Sequence, residues 1–475
     1  MRKRNTVIIV LLTILAASYA GNTDAQFWKK KSKRKHKHEQ TSDAKSDSTA
    51  ATTALTKEQK KEKKKKEKEE RKRQKLALKH KGKQDSKNAT AKKTLPKTTA
   101  PVLKKRAEIV YAPTQIKPRY RIDVIAPLYL DDLVKGQYVT YNDKIPEKAV
   151  PGVSFIEGVN IAADSLKKAG FNVDIYLHDA SSFQESAEIL TTKNKLDSTD
   201  LIIGAVQSHD VPILAAYAKK KHVYFISALS ASDGGVKENQ YFTLIQPSLK
   251  SHCEWMVKDI AKTFPGQKVA LLYRTSPALE ESAYSYITGD TADKVSFKAL
   301  LCNSLPTREK LLYVFDTTRP NVVLVPILDV NYADSILKVL VRDFPEAHFE
   351  VYGLPSWNGL TDLHKAKAFP NLSINITDPF YFNPASPSGI YIERSFKKDY
   401  SGKPSELVYR GYETLFWYAN LLKQYGTIFK YTDNAPAPFT PFEISPQWDK
   451  NNGLLYNENR HIFLTRYEGG ASKTE

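Results

Sequence analysis

Cysteine is almost missing from this chain, with only Cys253 and Cys302 among 475 residues. They stand too far apart for a zinc cluster and neither has a His pair at ligand spacing, so no metal is expected. An exported protein can join two such residues as a disulfide, and spacing alone leaves the pairing open. Long apolar runs are scarce too. The longest, Thr6–Tyr19, falls short of the roughly 20 apolar residues that a spanning helix needs, and nothing later approaches it. Catalytic signatures are missing as well: there is no G-x-S-x-G elbow, no P-loop, no H-E-x-x-H, and no G-x-G-x-x-G opening a helix. These absences point away from an enzyme, and no cofactor is expected.

A net positive charge is missing from most of the chain, although the formal net charge is +20. Phe27–Arg106 alone holds 30 Lys+Arg against 9 Asp+Glu, a net of +21, and the first 26 residues add +2. Ala107–Glu475 is left near −3. A nucleic-acid reader carries its basic stripe on the folded domain, among aromatics that stack on bases. Here the basic stretch has no aromatic residue after Trp28, and nucleic acid is not the expected partner.

Met1–Asn5 is a basic n-region and Thr6–Tyr19 an apolar h-region, with small-residue sites at Ser18-Tyr19-Ala20 and Thr23-Asp24-Ala25. Residues 1–25 therefore read as a cleavable export signal without a lipobox cysteine, which predicts a periplasmic or secreted protein with no transmembrane anchor. Residues 26–110 are rich in Lys, Glu, Ser, Thr, Ala and Gln and cannot bury enough apolar surface to offset chain entropy, so they read as a disordered Lys-rich tether. Within it, Glu62–Lys66, Glu67–Arg71 and Glu69–Arg73 are i,i+4 pairs that support a transient helix by only about 0.2–0.5 kcal/mol each. The tether is either a solvated spacer or an arm attracted to anionic envelope polymer or lipid headgroups.

From Arg119 onward short apolar strands alternate with helices. Arg119–Pro127, Phe171–Leu177, Leu201–Ile203 and His222–Ile226 read as strands, and Val153–Ala169, Ser182–Thr192 and Pro212–Lys219 as helices. A second round starts near Tyr241–Gln246. It places helices at Leu249–Phe264, Ala278–Thr288, Thr307–Thr317 and Asp334–Asp343, and strands at Lys268–Tyr273, Val295–Leu301, Val322–Ile327 and Phe349–Gly353. Tyr391–Tyr400 and Leu407–Tyr425 read as long amphipathic helices, and Asn452–Tyr467 as a hairpin turning near Asn459–Arg460. The alternation predicts an α/β protein of two doubly wound parallel-sheet lobes.

Ligands of such sheets sit outside the carboxyl ends of the strands. That rule singles out Gln207 and Ser208 after one strand and Ser227, Ser230 and Ser232 after the next; Tyr129 and Arg274 also follow strands. Hydroxyls and amides fix the orientation of a small polar molecule without reacting, but serines at strand ends serve equally well to bond their own turns. Asp233-Gly234-Gly235 reads as a turn, and His178-Asp179 as a polar strand-end loop rather than a proton-transfer pair.

These residues carry a resemblance. RIDVIAPLY, FIEGVNIAADSLKKAGFNVDIYLHDASS, DLIIGAVQSHDVPILAAYAKKKHVYFISALSAS, KVALLYRTSPALEESAYSYI and FKKDYSGKPSELVYRGYETLFWYANLLKQYG follow one another as in type I periplasmic binding proteins. The chain is similar to the leucine/isoleucine/valine-binding branch of the ABC-transporter substrate-binding family. YGLPSWNGL and NNGLLYNENRHIFLTRYEGG resemble a subgroup linked to a peptidoglycan-binding LysM module, although this chain has no LysM repeat. The resemblance implies three crossovers, near Gln246, Ile376 and Ala437. It implies a first lobe of residues 111–246 and 377–437 and a second of 247–376 and 438–470.

In the family, the loops holding Gln207–Ser208 and Ser227–Ser232 grip an α-carboxylate, with Ser230 the preferred donor. The second lobe adds an aromatic and an acid for the ammonium, for which this chain offers Asp329 and Trp357. The usual acid of the YGLPSWNGL loop is missing, so Asp329 substitutes for it, or Trp357 covers another ligand such as a sugar or a peptide fragment. The implied function is capture of a small polar ligand, with an ABC permease as partner. The competing reading is an envelope scaffold on a binding fold that has lost its ligand.

Overall fold

The computed structural model describes residues 106, 108–141, 144–289, 295–316, 319–430 and 437–475. The expected export signal, and the tether up to Lys105, lie outside them. Two seven-stranded sheets organise the chain. The first contains β1 (Tyr120–Ala126), β4 (Val173–Asp179), β5 (Leu201–Gly204), β6 (Tyr224–Ser227) and β7 (Phe242–Leu244), with β13 (Ile444–Trp448) and β14 (Leu454–Asn459), in the order β13-β14-β7-β6-β5-β1-β4. The second contains β8 (Lys268–Tyr273), β9 (Ser296–Leu301), β10 (Asn321–Leu324), β11 (Phe349–Gly353) and β12 (Leu372–Asp378), with β15 (Phe463–Glu468) and β16 (Ala471–Thr474), in the order β16-β15-β12-β11-β10-β8-β9. Their cores are parallel, and only the closing strands run antiparallel: β13 to β14, β15 to β12 and β16 to β15. A two-stranded ribbon, β2 (Val134–Lys135) and β3 (Tyr138–Val139), lies in the excursion that follows β1.

Both faces of each sheet are buried, as parallel strands flanked by helices require. In the first sheet Ile122, Val124, Ile203 and Ile226 share a core with α2 (Val150–Lys168), α9 (Pro387–Tyr400) and α10 (Glu406–Tyr425). The alternate residues Ile125, Ile202, Phe225 and Phe242 pack on α3 (Ala187–Thr192) and α4 (Val211–Lys221). In the second sheet, Val323, Val351 and Ile374 meet Ile336, Leu337 and Leu340 of α8 (Val330–Asp343). Val269, Leu271 and Leu324 meet Met256, Val257 and Ile260 of α5 (Leu249–Thr263) and Ala283 of α6 (Ala278–Ile287).

The α2–α10 crossing is set by two glycines. A Cβ on Gly158 would stand 1.9 Å from the Val408 carbonyl oxygen, and one on Gly411 2.0 Å from that of Phe155. On α10 the buried Val408, Gly411, Tyr412, Leu415, Tyr418, Ala419 and Leu422 follow the helical period, which is why this segment is legible as a core helix.

The doubly wound α/β architecture is as expected, with local differences. Among the described residues of the expected helix Thr307–Thr317, only Arg308–Leu312 (α7) is α-helical. The short helix Leu130–Leu133 is α1. Asn452–Tyr467 is not a hairpin: β14 joins the first sheet beside β7, and β15 joins the second beside β12. The chain therefore crosses at Arg460–Ile462 rather than near Ala437, and the strands of 444–459 extend the first sheet, not the second lobe to which 438–470 were assigned. Backbone pairing decides this, and side-chain alternation alone cannot reveal which sheet a strand joins. Cys253 and Cys302 are free and buried, and burial pushes the Cys302 thiol up to about 12. Among the described residues no helix is long and apolar enough to cross a membrane.

Candidate ligand-binding site at the strand ends

Register places Ala126, Asp179, Gly204, Ser227 and Leu244 together at the carboxyl edge of the first sheet. The loops leaving that edge carry all of the first-lobe candidates. Tyr129 has φ 55° and ψ 36°, a left-handed conformation that is uncommon outside glycine. The buried Asp179 fixes it. Its Oδ1 accepts the N–H groups of Leu128 (2.8 Å), Tyr129 (3.2 Å) and Ser181 (3.0 Å) and the Ser181 hydroxyl (2.7 Å), and its Oδ2 accepts Leu130 N–H (2.8 Å). Ser181 Oγ also accepts Tyr129 N–H at 2.9 Å. The Gln207 amide donates to the Tyr129 hydroxyl at 3.4 Å, which brings two of the expected residues together across neighbouring strands. Gln207 and Ser208 are exposed.

The serine loop is less open to a ligand than its composition implies. Ser227 is fully buried and its hydroxyl has no hydrogen-bond partner. Ser230 Oγ accepts Ser232 N–H at 3.1 Å, and Ser232 Oγ accepts Gly234 N–H at 3.3 Å. Ser230 and Ser232 thus also bond their own turn. Gly234 and Gly235 both have positive φ, as the expected Asp-Gly-Gly turn requires.

In the second lobe Arg274 follows β8 and reaches Glu280 Oε2 (3.3 Å) and Asp329 Oδ2 (3.6 Å), with its guanidinium 4.4 Å from the Tyr332 ring centroid. Glu280 is fully buried, and its Oε1 accepts the N–H groups of Leu328 (2.9 Å) and Asp329 (3.1 Å). Asp329 Oδ1 caps α8 through Asn331 and Tyr332 N–H. The acid expected to receive an ammonium is therefore already engaged twice, although its side chain keeps 48% exposure.

Trp357 does not line a cleft. It is fully buried, its indole donates to the Ile327 carbonyl at 2.7 Å, and the ring lies against Gly353, where a Cβ would stand 2.3 Å from it. The expected ligand-covering role is corrected: the side chain is a core residue whose polar tip found a carbonyl.

Two residues that sequence reasoning missed complete the first-lobe edge. Asp179 was read only as loop polarity. Lys148 places its ammonium 4.5 Å from the Tyr129 ring centroid and 2.5 Å from Asp132 Oδ2, although 19 residues separate it from Tyr129 in sequence. The acid-rich start of the excursion, Asp131-Asp132, was the only signal that a cation would be needed there. Next to them His178 is buried 2.7 Å from Asp123. Burial pulls its pKa down, but Asp123 and Glu185 outweigh burial and raise it.

No family model matches the chain, and no curated protein matches it by sequence. Solved structures do. A putative branched-chain amino acid ABC transporter from Rhodospirillum rubrum is similar at 12% identity over 75% of this chain and 100% of that one, with a TM-score of 0.54. An ABC transporter substrate-binding protein from Desulfitobacterium hafniense is similar at 14% identity, 75% and 100% coverage, and a TM-score of 0.50. Haemophilus influenzae LpoA is similar at 12% identity and a TM-score of 0.50, over 76% of this chain and only 59% of that one. At these identities the likeness establishes the fold: the chain has the two-lobed architecture of type I periplasmic binding proteins.

Proposed function

We propose that the chain is an exported, non-enzymatic solute-binding protein that closes its two lobes on a small polar ligand. The observation that carries this reading is the clustering of Tyr129, Gln207 and Lys148 with the serine loop at the carboxyl edge of the first sheet, while Arg274 and Asp329 follow the same edge of the second. Amino acids, short peptides and cell-wall fragments are the ligand classes whose charges and amides such groups match. An ABC permease is the partner such a protein would serve, and the Lys-rich stretch would add attraction to anionic envelope polymer.

Thermal-shift and calorimetric titration of the protein against branched-chain amino acids, short peptides, muropeptides and sugars tests the reading. A ligand at 100 times its Kd stabilises the folded state by about 2.7 kcal/mol. Failure of the whole panel to shift Tm or release heat would remove the solute-binding reading.

The internal satisfaction of Ser230, Ser232 and Asp329 favours a second reading, an envelope-associated scaffold that has lost its ligand. Sedimentation with purified sacculus discriminates: retention of the protein without any ligand response in the panel supports the scaffold.

A further inference from the structure

We infer that Asp179 is a positioning residue, an internal anion that holds the Tyr129 corner of the candidate site in its working conformation. The inference rests on the solute-binding reading and deepens it. Three successive N–H groups, those of Leu128, Tyr129 and Leu130, converge on the Asp179 carboxylate, together with the N–H and hydroxyl of Ser181. Converging backbone N–H groups after a strand are the usual cradle for a ligand's anion. Here the cradle is already occupied by a side chain of the protein, so the N–H groups of Leu128, Tyr129 and Leu130 are not left to receive a ligand.

What remains is the Tyr129 side chain, and its direction follows from the backbone that Asp179 fixes. A tyrosine at φ 55° persists only where its surroundings over-determine the conformation. Asp179 supplies this from one side. From the other, Asp132 and Leu133 donate their N–H groups to the Tyr129 carbonyl at 3.0 Å each. The phenol then stands within reach of Gln207, and the ring under Lys148. Asp179 is itself held from behind, its own N–H donating to Glu185 Oε2 at 3.1 Å. Its position at the very end of β4, paired with Ala126 at the end of β1, is what lets a side chain of one strand organise the loop of the next.

Two consequences follow for the ligand. Tyr129 contributes a hydroxyl and a ring face, not an anion hole, so an anionic ligand group must be received by the serine loop or by Lys148. Releasing Asp179 should also act on binding through Tyr129 and no other residue.

The test uses Asp179→Asn in the full chain, which keeps size but replaces an acceptor with a donor facing N–H groups. Asp200→Asn is the control: Asp200 likewise accepts a backbone N–H, that of Arg121, but at the opposite edge of the same sheet. Hydrogen exchange is read on a peptide spanning Pro127–Leu133. We expect it to exchange about tenfold faster or more in Asp179→Asn and to be unchanged in Asp200→Asn. Ser181→Ala, which removes a smaller part of the network, should move the same peptide less and serves if Asp179→Asn does not fold.

L-leucine affinity is then measured in a double-mutant cycle with Tyr129→Phe. The two losses should fail to add, Tyr129→Phe having little effect once Asp179 is replaced. Unchanged exchange at Pro127–Leu133, or additive losses, would overturn the inference. If the wild-type protein binds no L-leucine, that ligand is removed from the functional reading, and the exchange result alone decides whether Asp179 positions the loop.

Discussion

Glu157 is the residue whose chemistry is most at odds with its place. It sits on α2 facing the core, and burial pushes its carboxyl up to about 8. Glu413 and Asp378 are shifted the same way, to about 7 and about 6. In both, hydrogen bonds oppose burial: Glu413 accepts the N–H groups of Phe439 and Thr440, and Asp378 accepts the Thr465 hydroxyl. A carboxyl with a raised folded-state pKa binds its proton more tightly in the native state. Its contribution to stability is fully present below the unfolded value, near 4.5 for Glu157, and is lost as pH rises through about 8. Thermal unfolding should therefore show Tm falling between about pH 5 and pH 8 and levelling off above, with a total loss on the order of a few kcal/mol of stability. Glu157→Gln should flatten the upper part of that fall and exceed the wild type in Tm at pH 9. A profile that keeps its slope in Glu157→Gln would show that the proton sits elsewhere. The same scale decides Trp357: as a core side chain, Trp357→Ala should cost about 3–5 kcal/mol in denaturant unfolding, where a ligand-facing tryptophan would cost little without ligand.

The two sheets are joined by crossovers that side chains tie together. Arg460 opens the last crossing, and its guanidinium pairs with Glu254 at 2.5 Å and donates to Ser251 Oγ at 2.8 Å, both on the first turns of α5 that follow the first crossing. Glu458, at the end of β14, accepts Ser248 N–H at 2.8 Å from the same turn. Two of the three connections between the lobes are thus bolted into one unit. Beneath them His252 is buried, and burial first and Arg460 second push its pKa down to about 3. Arg460→Ala leaves Glu254 with only its 3.6 Å contact to Lys250 and removes the donor to Ser251 Oγ, so stability should drop by about 1–3 kcal/mol, with a broader distribution of inter-lobe distances by single-molecule energy transfer. An unchanged distribution would place the bending elsewhere.

This is also the scale at which the sequence was most and least legible. The α10 period and the Leu201–Ser227 strand, helix and strand unit were readable because each buries its own periodic face. The destinations of β14 and β15 were not, because two short strands separated by Arg460–Ile462 have the same pattern whether they form a hairpin or part between sheets. Asp179 was invisible for a related reason. Its value lies in what it accepts from residues about 50 positions away, which no local pattern records. Trp357 was misplaced because a strand-end aromatic reads alike whether it faces ligand or core.

At the scale of the whole molecule, the opposite edge of the first sheet matters as much as the candidate site. Before β1 the chain runs along the starts of the strands. Tyr111 packs edge-on against Tyr241 at 5.9 Å, Lys117 pairs with Asp200 at 2.5 Å, and Gln115 exchanges backbone and hydroxyl bonds with Thr427. Tyr241 and Asp200 precede β7 and β5, so this strap lies on the amino edge, and the basic stretch of the sequence joins the fold there, away from the strand ends that carry Tyr129 and Gln207. Residues 27–106, with their net charge of +21, are the part of the chain that an anionic surface would attract. The chain should bind anionic vesicles with an affinity that falls steeply with salt, and a chain lacking Lys29–Arg106 should not bind them, because exposed charges beyond about 8 Å are screened at 0.15 M salt. A ligand found in the panel should bind with the same Kd on and off the vesicles. A Kd that weakens more than about threefold on the surface, well under the 1.4 kcal/mol of a tenfold change, would mean that the surface reaches the strand ends and that the two edges do not act independently.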